Sequence, residues 1–211
     1  MRHRLGLPPA DDLSDSCFCG ASLRDDSSHF HSCQLIRRNA VTLRHDLVVR
    51  TLRDLFHQAG AEVEVEQRVS GVVRQRPDLQ IHLDIGSFWV DVTIAHPCAP
   101  SRKYVRPLAA ASDAENKKNR DYGAMALQHS ATFIPFALES YGAFGTRAQE
   151  VMKILCKAAG NSVLLTADVP GGFAAYAVQR VAVALQRGNA AVGRRGAVES
   201  RVAALGGRRP R

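Results

Sequence analysis

The chain has 211 residues, 45% of them hydrophobic and 23% charged, enough apolar material for one ordinary core with a small satellite module. No stretch approaches the roughly eighteen apolar residues of a membrane span, and Met1-Arg2-His3-Arg4 has no apolar signal core behind it, so a soluble intracellular protein is expected. The formal charge of +8 is concentrated at the end, where Arg187 to Arg211 holds seven arginines against Glu199; bulk charge therefore points to a basic tail able to touch phosphate and says little about the body.

Residues 1–16, with Pro8-Pro9 and Asp11-Asp12, show no periodicity and read as a linker. Three of the five cysteines follow closely, in Cys17-Phe18-Cys19-Gly20 and Cys33. An odd number of cysteines in so apolar a chain does not fit a disulfide framework, and clustered thiolates with an imidazole suit tetrahedral zinc. The first two cysteines are closer than usual, His29 and His31 compete for the third place, and three small buried cysteines would be the plain alternative.

From Arg37 to Ala59 the residues Val41, Leu43, Leu47, Val48, Leu52, Leu55 and Phe56 recur at helical spacing, with Gly60 as C-cap. Arg44-His45-Asp46 is a polar cluster within it, in which Asp46 reads as a solvated partner of Arg50. Ala61 to Glu66 alternates strictly, as a strand with one wet face does, leaving Glu62, Glu64 and Glu66 indistinguishable as ligands.

The next segment carries the most chemistry. Leu79, Ile81 and Leu83 alternate with polar residues, and after a break at Asp84 to Ser87 the set Phe88, Val90, Val92, Ile94 resumes the alternation, which predicts a hairpin. Both apolar sets must face one core, so Asp78, Asp91 and Thr93 share the opposite face. Paired aspartates repel unless a cation or proton lies between them, and hard divalent ions such as magnesium prefer oxygen pairs of this kind. A half-solvated face that happens to carry acids is the other reading.

His96-Pro97-Cys98-Ala99-Pro100 ends the strand, Ser101 to Pro107 is a basic loop, and Ala109 to Gln128 reads as an alanine-rich helix with Ser112 as N-cap. Glu115, Lys118 and Tyr122 fall on one face of it. Thr132 to Leu138 is an apolar run suited to a strand covered on both sides. Gly142 and Gly145 are expected to turn with positive φ before a helix from Arg147 to Ala158, and a last apolar helix runs from Ala174 to Gln186. The order of elements is that of an α/β domain with a short mixed sheet flanked by helices.

Pro77-Asp78, twelve intervening residues, Asp91-Val92-Thr93, then Ala114-Glu115-Asn116-Lys117-Lys118 and Tyr122 resemble the restriction-like endonuclease domain at the C-terminus of non-LTR retrotransposon reverse transcriptase polyproteins. These domains belong to the PD-(D/E)XK superfamily, and the resemblance runs from about Cys17 to Asn189. One departure is Thr93, where many superfamily members carry lysine.

The resemblance implies a restriction-endonuclease-like core at 37–186 and a CCHC-like zinc knuckle at 17–36, while the charge count makes 187–211 a basic, disordered tail. It implies Mg2+ (or Mn2+) held by Asp78 and Asp91, with Lys118, Glu115 and Asp46 as further catalytic residues, and structural Zn2+ held by Cys17, Cys19, His29 and Cys33. The lysine missing from the strand would come from the helix, Lys118 matching the spacing better than Lys117. The implied function is cleavage of target DNA for target-primed reverse transcription, in the nucleus, with DNA, element RNA and a reverse transcriptase domain as partners and no membrane. The alternative is a zinc-containing nucleic-acid-binding module that has lost cleavage.

Overall fold

A computed structural model describes residues 13–36, 40–65, 77–99, 106–160 and 171–206. Among the described residues the elements are a 3-10 turn at His29–His31, α1 (Thr42–Gln58), β1 (Glu62–Val65), β2 (Leu79–Leu83), β3 (Gly86–Ala95), α2 (Ala109–Gln128), β4 (Ala131–Glu139), α3 (Thr146–Ala159) and α4 (Gly172–Ala204). The four strands form one sheet in the order β1-β2-β3-β4. The first three pair antiparallel, and β3 pairs parallel with β4 through a crossover that contains α2.

Strand parity sorts the sheet into two faces. The register Leu79↔Val90 and Ile81↔Phe88 puts Leu79, Ile81, Val90 and Val92 on one face, and Ile134, Phe136 and Leu138 of β4 continue it. This face is buried with Val48, Leu52 and Phe56 of α1, Val151 and Leu155 of α3, and Val181 and Leu185 of α4. The other face carries Trp89, Asp91 and Phe133 and is covered by Met125 and Ala126 of α2, while Ala111 and Ala114 of the same helix pack against Ala137. The alanines let α2 lie close to the strands. Asp91 is only 3% exposed, which corrects the half-solvated reading of this face.

Three further expectations are corrected. Helix α2 starts at Ala109 behind Leu108, whose φ of 61° ends the preceding turn, so Ser112 lies inside the helix and is no N-cap. Gly142 has the expected positive φ of 108°, but Gly145 is extended (φ −62°, ψ 163°); its smallness matters because a Cβ there would overlap the Glu115 carboxylate.

The largest correction concerns the C-terminus. The stretch 187–204, expected as part of a disordered basic tail, continues α4 to Ala204; 207–211 lie outside the described residues. Counting charge over the whole stretch hid a helical division of labour. Gly188, Asn189, Val192, Gly196 and Ser200 are buried, whereas Arg187, Arg194 and Arg201 are exposed. A Cβ at Gly188 would sit 2.6 Å from Arg44 Cα, and one at Gly196 would overlap the Phe30 ring, so these glycines allow α4 to approach both α1 and the cysteine-containing segment. Cys17, Phe18, Phe30 and Cys33 share a core with Val192 and Ala197 of α4, and Ser200 Oγ accepts a hydrogen bond from the Phe18 N–H at 3.2 Å. The knuckle is thus packed onto the body rather than carried as a satellite.

Candidate active site and metal cluster

Continuing the β2–β3 register by one residue beyond Leu79↔Val90 places Asp78 opposite Asp91. Asp78 is fixed by two donors: the Val92 N–H at 2.6 Å and His45 Nε2 at 3.0 Å, both on Oδ2. The other ring nitrogen of His45 lies 3.1 Å from Asp46 Oδ1. Burial opposes a charged His45, but the Asp78 and Asp46 carboxylates outweigh it and raise its pKa to about 9, so the ring is an imidazolium at neutral pH. His45 was not singled out in the sequence. Its signal was adjacency to Asp46 in a polar turn of α1, and only packing of that turn over β2 gives it Asp78. Asp46 joins the cluster through this histidine.

Asp91 faces α2. Lys118 Nζ lies 2.7 Å from Asp91 Oδ2, an oxygen that is fully buried and takes no hydrogen bond of regular geometry. Burial and the nearby Asp78 charge raise the Asp91 pKa to about 6, against the pull of Lys118 and His45. Burial works against the Lys118 cation as well, yet the Asp91 carboxylate outweighs it and holds its pKa above the ordinary lysine value. The ammonium also stands 5.3 Å from the ring centroid of Tyr122, whose phenol is pushed up first by burial and then by the Asp91 charge. Lys117 is exposed. The helix therefore brings a lysine to the acid pair, while Thr93 follows two residues after Asp91 on the same face.

Chemically, this is a pair of neighbouring carboxylates flanked by two cations. One carboxylate oxygen is buried without a regular hydrogen bond, and the like charge of Asp78 already strains the ionised form of Asp91. An oxygen-rich pair of this kind fits a small hard divalent cation, which would relieve that repulsion.

Glu115 does different work. Its Oε1 accepts the N–H groups of Arg147 at 2.9 Å and Ala148 at 3.3 Å, capping the first turn of α3. Burial raises its pKa, opposed by those two donors. Glu115, expected from its place on α2 as a catalytic acid, caps the start of α3 with Oε1, a contact that spacing on α2 could not reveal. Glu66 lies outside the described residues.

Cys17, Cys19, His29 and Cys33 place their four ligand atoms within 4.8 Å of one another. Cys17 Sγ and Cys33 Sγ are 3.8 Å apart, and Cys19 Sγ is 3.0 Å from His29 Nε2. Tetrahedral zinc with bonds of about 2.3 Å would set its sulfurs about 3.8 Å apart, so the residues fit that ion. The cluster holds one tight sulfur pair, in which the Cys17 hydrogen bond lowers Cys33 to about 4 while Cys17 itself is raised. His31 is turned elsewhere: its Nδ1 is 3.2 Å from Arg44 Nη1, which settles the competition in favour of His29.

That contact belongs to a buried polar network joining the cysteine segment to the sheet and α4. Arg44 Nη1 also donates to Asn189 Oδ1 at 3.2 Å, and Asn189 Nδ2 donates to the Ser140 carbonyl at 2.7 Å. His96 bridges Ser140 Oγ at 2.7 Å and Ser28 Oγ at 3.0 Å. Beside this network lies a cleft of 560 Å³ lined by residues that include Cys19, His29, Arg44, Thr93 and Ala114.

No family model matches the chain. It is 25% identical over 168 residues to the retrotransposable element SLACS 132 kDa protein of Trypanosoma brucei gambiense. The match covers 74% of this chain and 14% of that protein, so the chain spans a small part of its relative's length. The similarity is distant and is consistent with a retroelement origin. No helix among the described residues is long and apolar enough to cross a membrane.

Proposed function

We propose that this chain is a metal-dependent endodeoxyribonuclease domain of a retroelement, which hydrolyses a phosphodiester bond of target DNA to leave an end for target-primed reverse transcription. The observation that carries this reading is the Lys118 ammonium 2.7 Å from Asp91, which itself stands opposite Asp78. In this reading Asp78 and Asp91 are the two acids of such a nuclease and Lys118 its lysine, coming from α2 where the strand has Thr93.

Asp78 and Asp91 would hold magnesium, which when bound polarises the scissile phosphate and lowers the pKa of a water. The chain's own groups do the rest. Val92 N–H and His45 fix the orientation of the Asp78 carboxylate. Lys118, held by Asp91 and half-buried beneath Tyr122, neutralises charge that builds on the phosphate oxygens. Tyr122 stacks on Phe133 at 5.2 Å and so limits the positions open to the lysine.

The test is cleavage of supercoiled plasmid DNA with magnesium. Asp78→Ala is expected to abolish cutting while DNA binding persists. Lys118→Ala is expected to cut about 100- to 1,000-fold more slowly, the usual loss for one preorganised charge-stabilising group. Equal cutting by wild type and Asp78→Ala would refute the assignment. Wild-type protein that binds DNA and cuts with neither magnesium nor manganese would be a binding module instead.

A further inference from the structure

Arg44 is held by neutral groups and keeps its charge unanswered. Its Nη1 donates to His31 Nδ1 and to Asn189 Oδ1, each at 3.2 Å, which uses both hydrogens of that nitrogen. Nε is fully buried and donates to nothing. Among the described residues no carboxylate pairs with this guanidinium; burial lowers its pKa to about 10, so it stays charged at neutral pH. Tying the cysteine segment to α4 needs two donors, not a charge. A cation that is only 2% exposed and lacks a counter-charge is a costly arrangement, and a ligand that brings the missing charge removes the cost.

That charge borders the 560 Å³ cleft at the carboxyl end of the parallel β3–β4 pair, a volume within the range of about 300–1,000 Å³ for ligand sites. The lining carries Arg44 and the imidazoles of His31 and His96, and no aspartate or glutamate. A buried cation is little screened by salt, and low-dielectric walls focus its field into such a space. Thr93 on the lining stands two residues, about 6.6 Å, from Asp91 on the same face of β3, so the cleft opens beside the acid pair. A DNA strand with one phosphate at Asp78 and Asp91 would bring a flanking phosphate here.

We propose that this cleft holds a phosphate group of the DNA strand, flanking the one placed at Asp78 and Asp91, with Arg44 as its counter-charge. The proposal deepens the nuclease reading and rests on it for the choice of polymer; the anion site itself rests on Arg44 and the acid-free lining. A contact of this kind positions the strand and reads no base.

The experiment measures binding of the full, zinc-loaded chain to a labelled DNA duplex of about 30 base pairs, three helical turns, by fluorescence anisotropy without magnesium or manganese. Arg44→Gln should bind about 10- to 100-fold more weakly, the usual worth of a hydrogen bond to a charged group, and Arg44→Lys should recover most of that loss. Gln34 is an exposed residue of the lining, where a change of charge leaves the core alone. Gln34→Glu should weaken binding about 2- to 5-fold and Gln34→Lys tighten it by as much, and this opposed pair carries the test if Arg44→Gln does not fold. Zinc content should match wild type in every variant.

Equal affinity of folded Arg44→Gln and wild type overturns the site, as does an absence of opposed shifts at Gln34. Zinc lost from Arg44→Gln in step with affinity also overturns it: zinc on three thiolates has a net charge of about −1, and Arg44 would then serve the cluster. Inorganic phosphate that raises the melting temperature of wild type but not of Arg44→Gln, with duplex affinity equal in both, overturns the strand as the source of the anion. The nuclease reading is scored apart, by plasmid cutting: wild type that cuts while Arg44→Gln binds equally well loses only this site, and Arg44-dependent binding without cutting keeps the site and removes the nuclease.

Discussion

Helix α4 touches α1 so closely at Gly188 that the smallest side-chain addition there has a calculable consequence. In an ordinary helix interior, Gly→Ala gains about 1 kcal/mol from propensity. At Gly188 the new Cβ would lie 2.5 Å from Arg44 Cγ and 2.6 Å from Arg44 Cα, against the 3.5–4.0 Å or so at which carbon atoms rest. Cα belongs to a helix backbone and cannot swing aside, so the two helices must part by about 1 Å, an overpacking cost of about 1–3 kcal/mol. The Arg44 contacts to Asn189 and His31, each 3.2 Å, would stretch beyond hydrogen-bond range, at about 1 kcal/mol apiece. Net destabilisation is therefore about 2–4 kcal/mol. Gly123 in α2 is the matched control: its nearest neighbour would be Asn119 Oδ1 at 3.6 Å, an ordinary contact, so Gly123→Ala should stabilise by about 0.5–1 kcal/mol. In thermal denaturation, with about 2–4 °C per kcal/mol for a chain of this size, Gly188→Ala should melt about 4–16 °C lower and Gly123→Ala slightly higher. Two variants shifted in the same direction would refute the close approach of α4 to α1.

Removing zinc should destabilise the whole domain, because the cysteine segment shares a core with α4. With zinc at about a thousand times its dissociation constant the loss is about 4 kcal/mol, read as a fall of about 8–16 °C in melting temperature on chelation and again in Cys33→Ser. A melting temperature unmoved while zinc leaves would sink this coupling. The His45 pKa, raised from 6.5 to about 9, gives stability that is complete below pH 6.5 and lost as pH rises through 9. Asp91, raised from 3.8 to about 6, likewise favours the protonated native state and loses its contribution between about pH 4 and 6. Without divalent cation, the melting temperature should fall from pH 6.5 to 9.5 by the equivalent of at most about 3 kcal/mol, and His45→Gln should remove that slope; a rise over this range would refute the assignment. Glu115→Gln should lower stability by about 1 kcal/mol through its weaker cap on α3 while leaving the cleavage rate within a few-fold of wild type, and a loss of 100-fold or more would return it to the catalytic set.

Residues Leu79 to Ile94 determined their own hairpin and its parity, because a period of two leaves only one register that buries both apolar sets. That parity placed Asp78 and Asp91 on one face before any tertiary contact was known. Cys17, Cys19 and Cys33 likewise marked a candidate metal cluster by density, since thiolates so close together have few other uses. What the sequence left open were choices between chemically equal candidates: His29 or His31, Lys117 or Lys118, and the roles of His45 and Glu115. Each was decided by where a second element packs. Helix α2 lies over β3 and gives Lys118 its acid, α1 lies against β2 and gives His45 a second one, and the start of α3 takes Glu115 for itself. The charge-rich end of the chain was misread for a related reason. Composition averages over a segment, whereas a helix separates its faces, and only the glycine-lined seam with Arg44 and Phe30 shows that α4 buries one side and turns its arginines outward on the other.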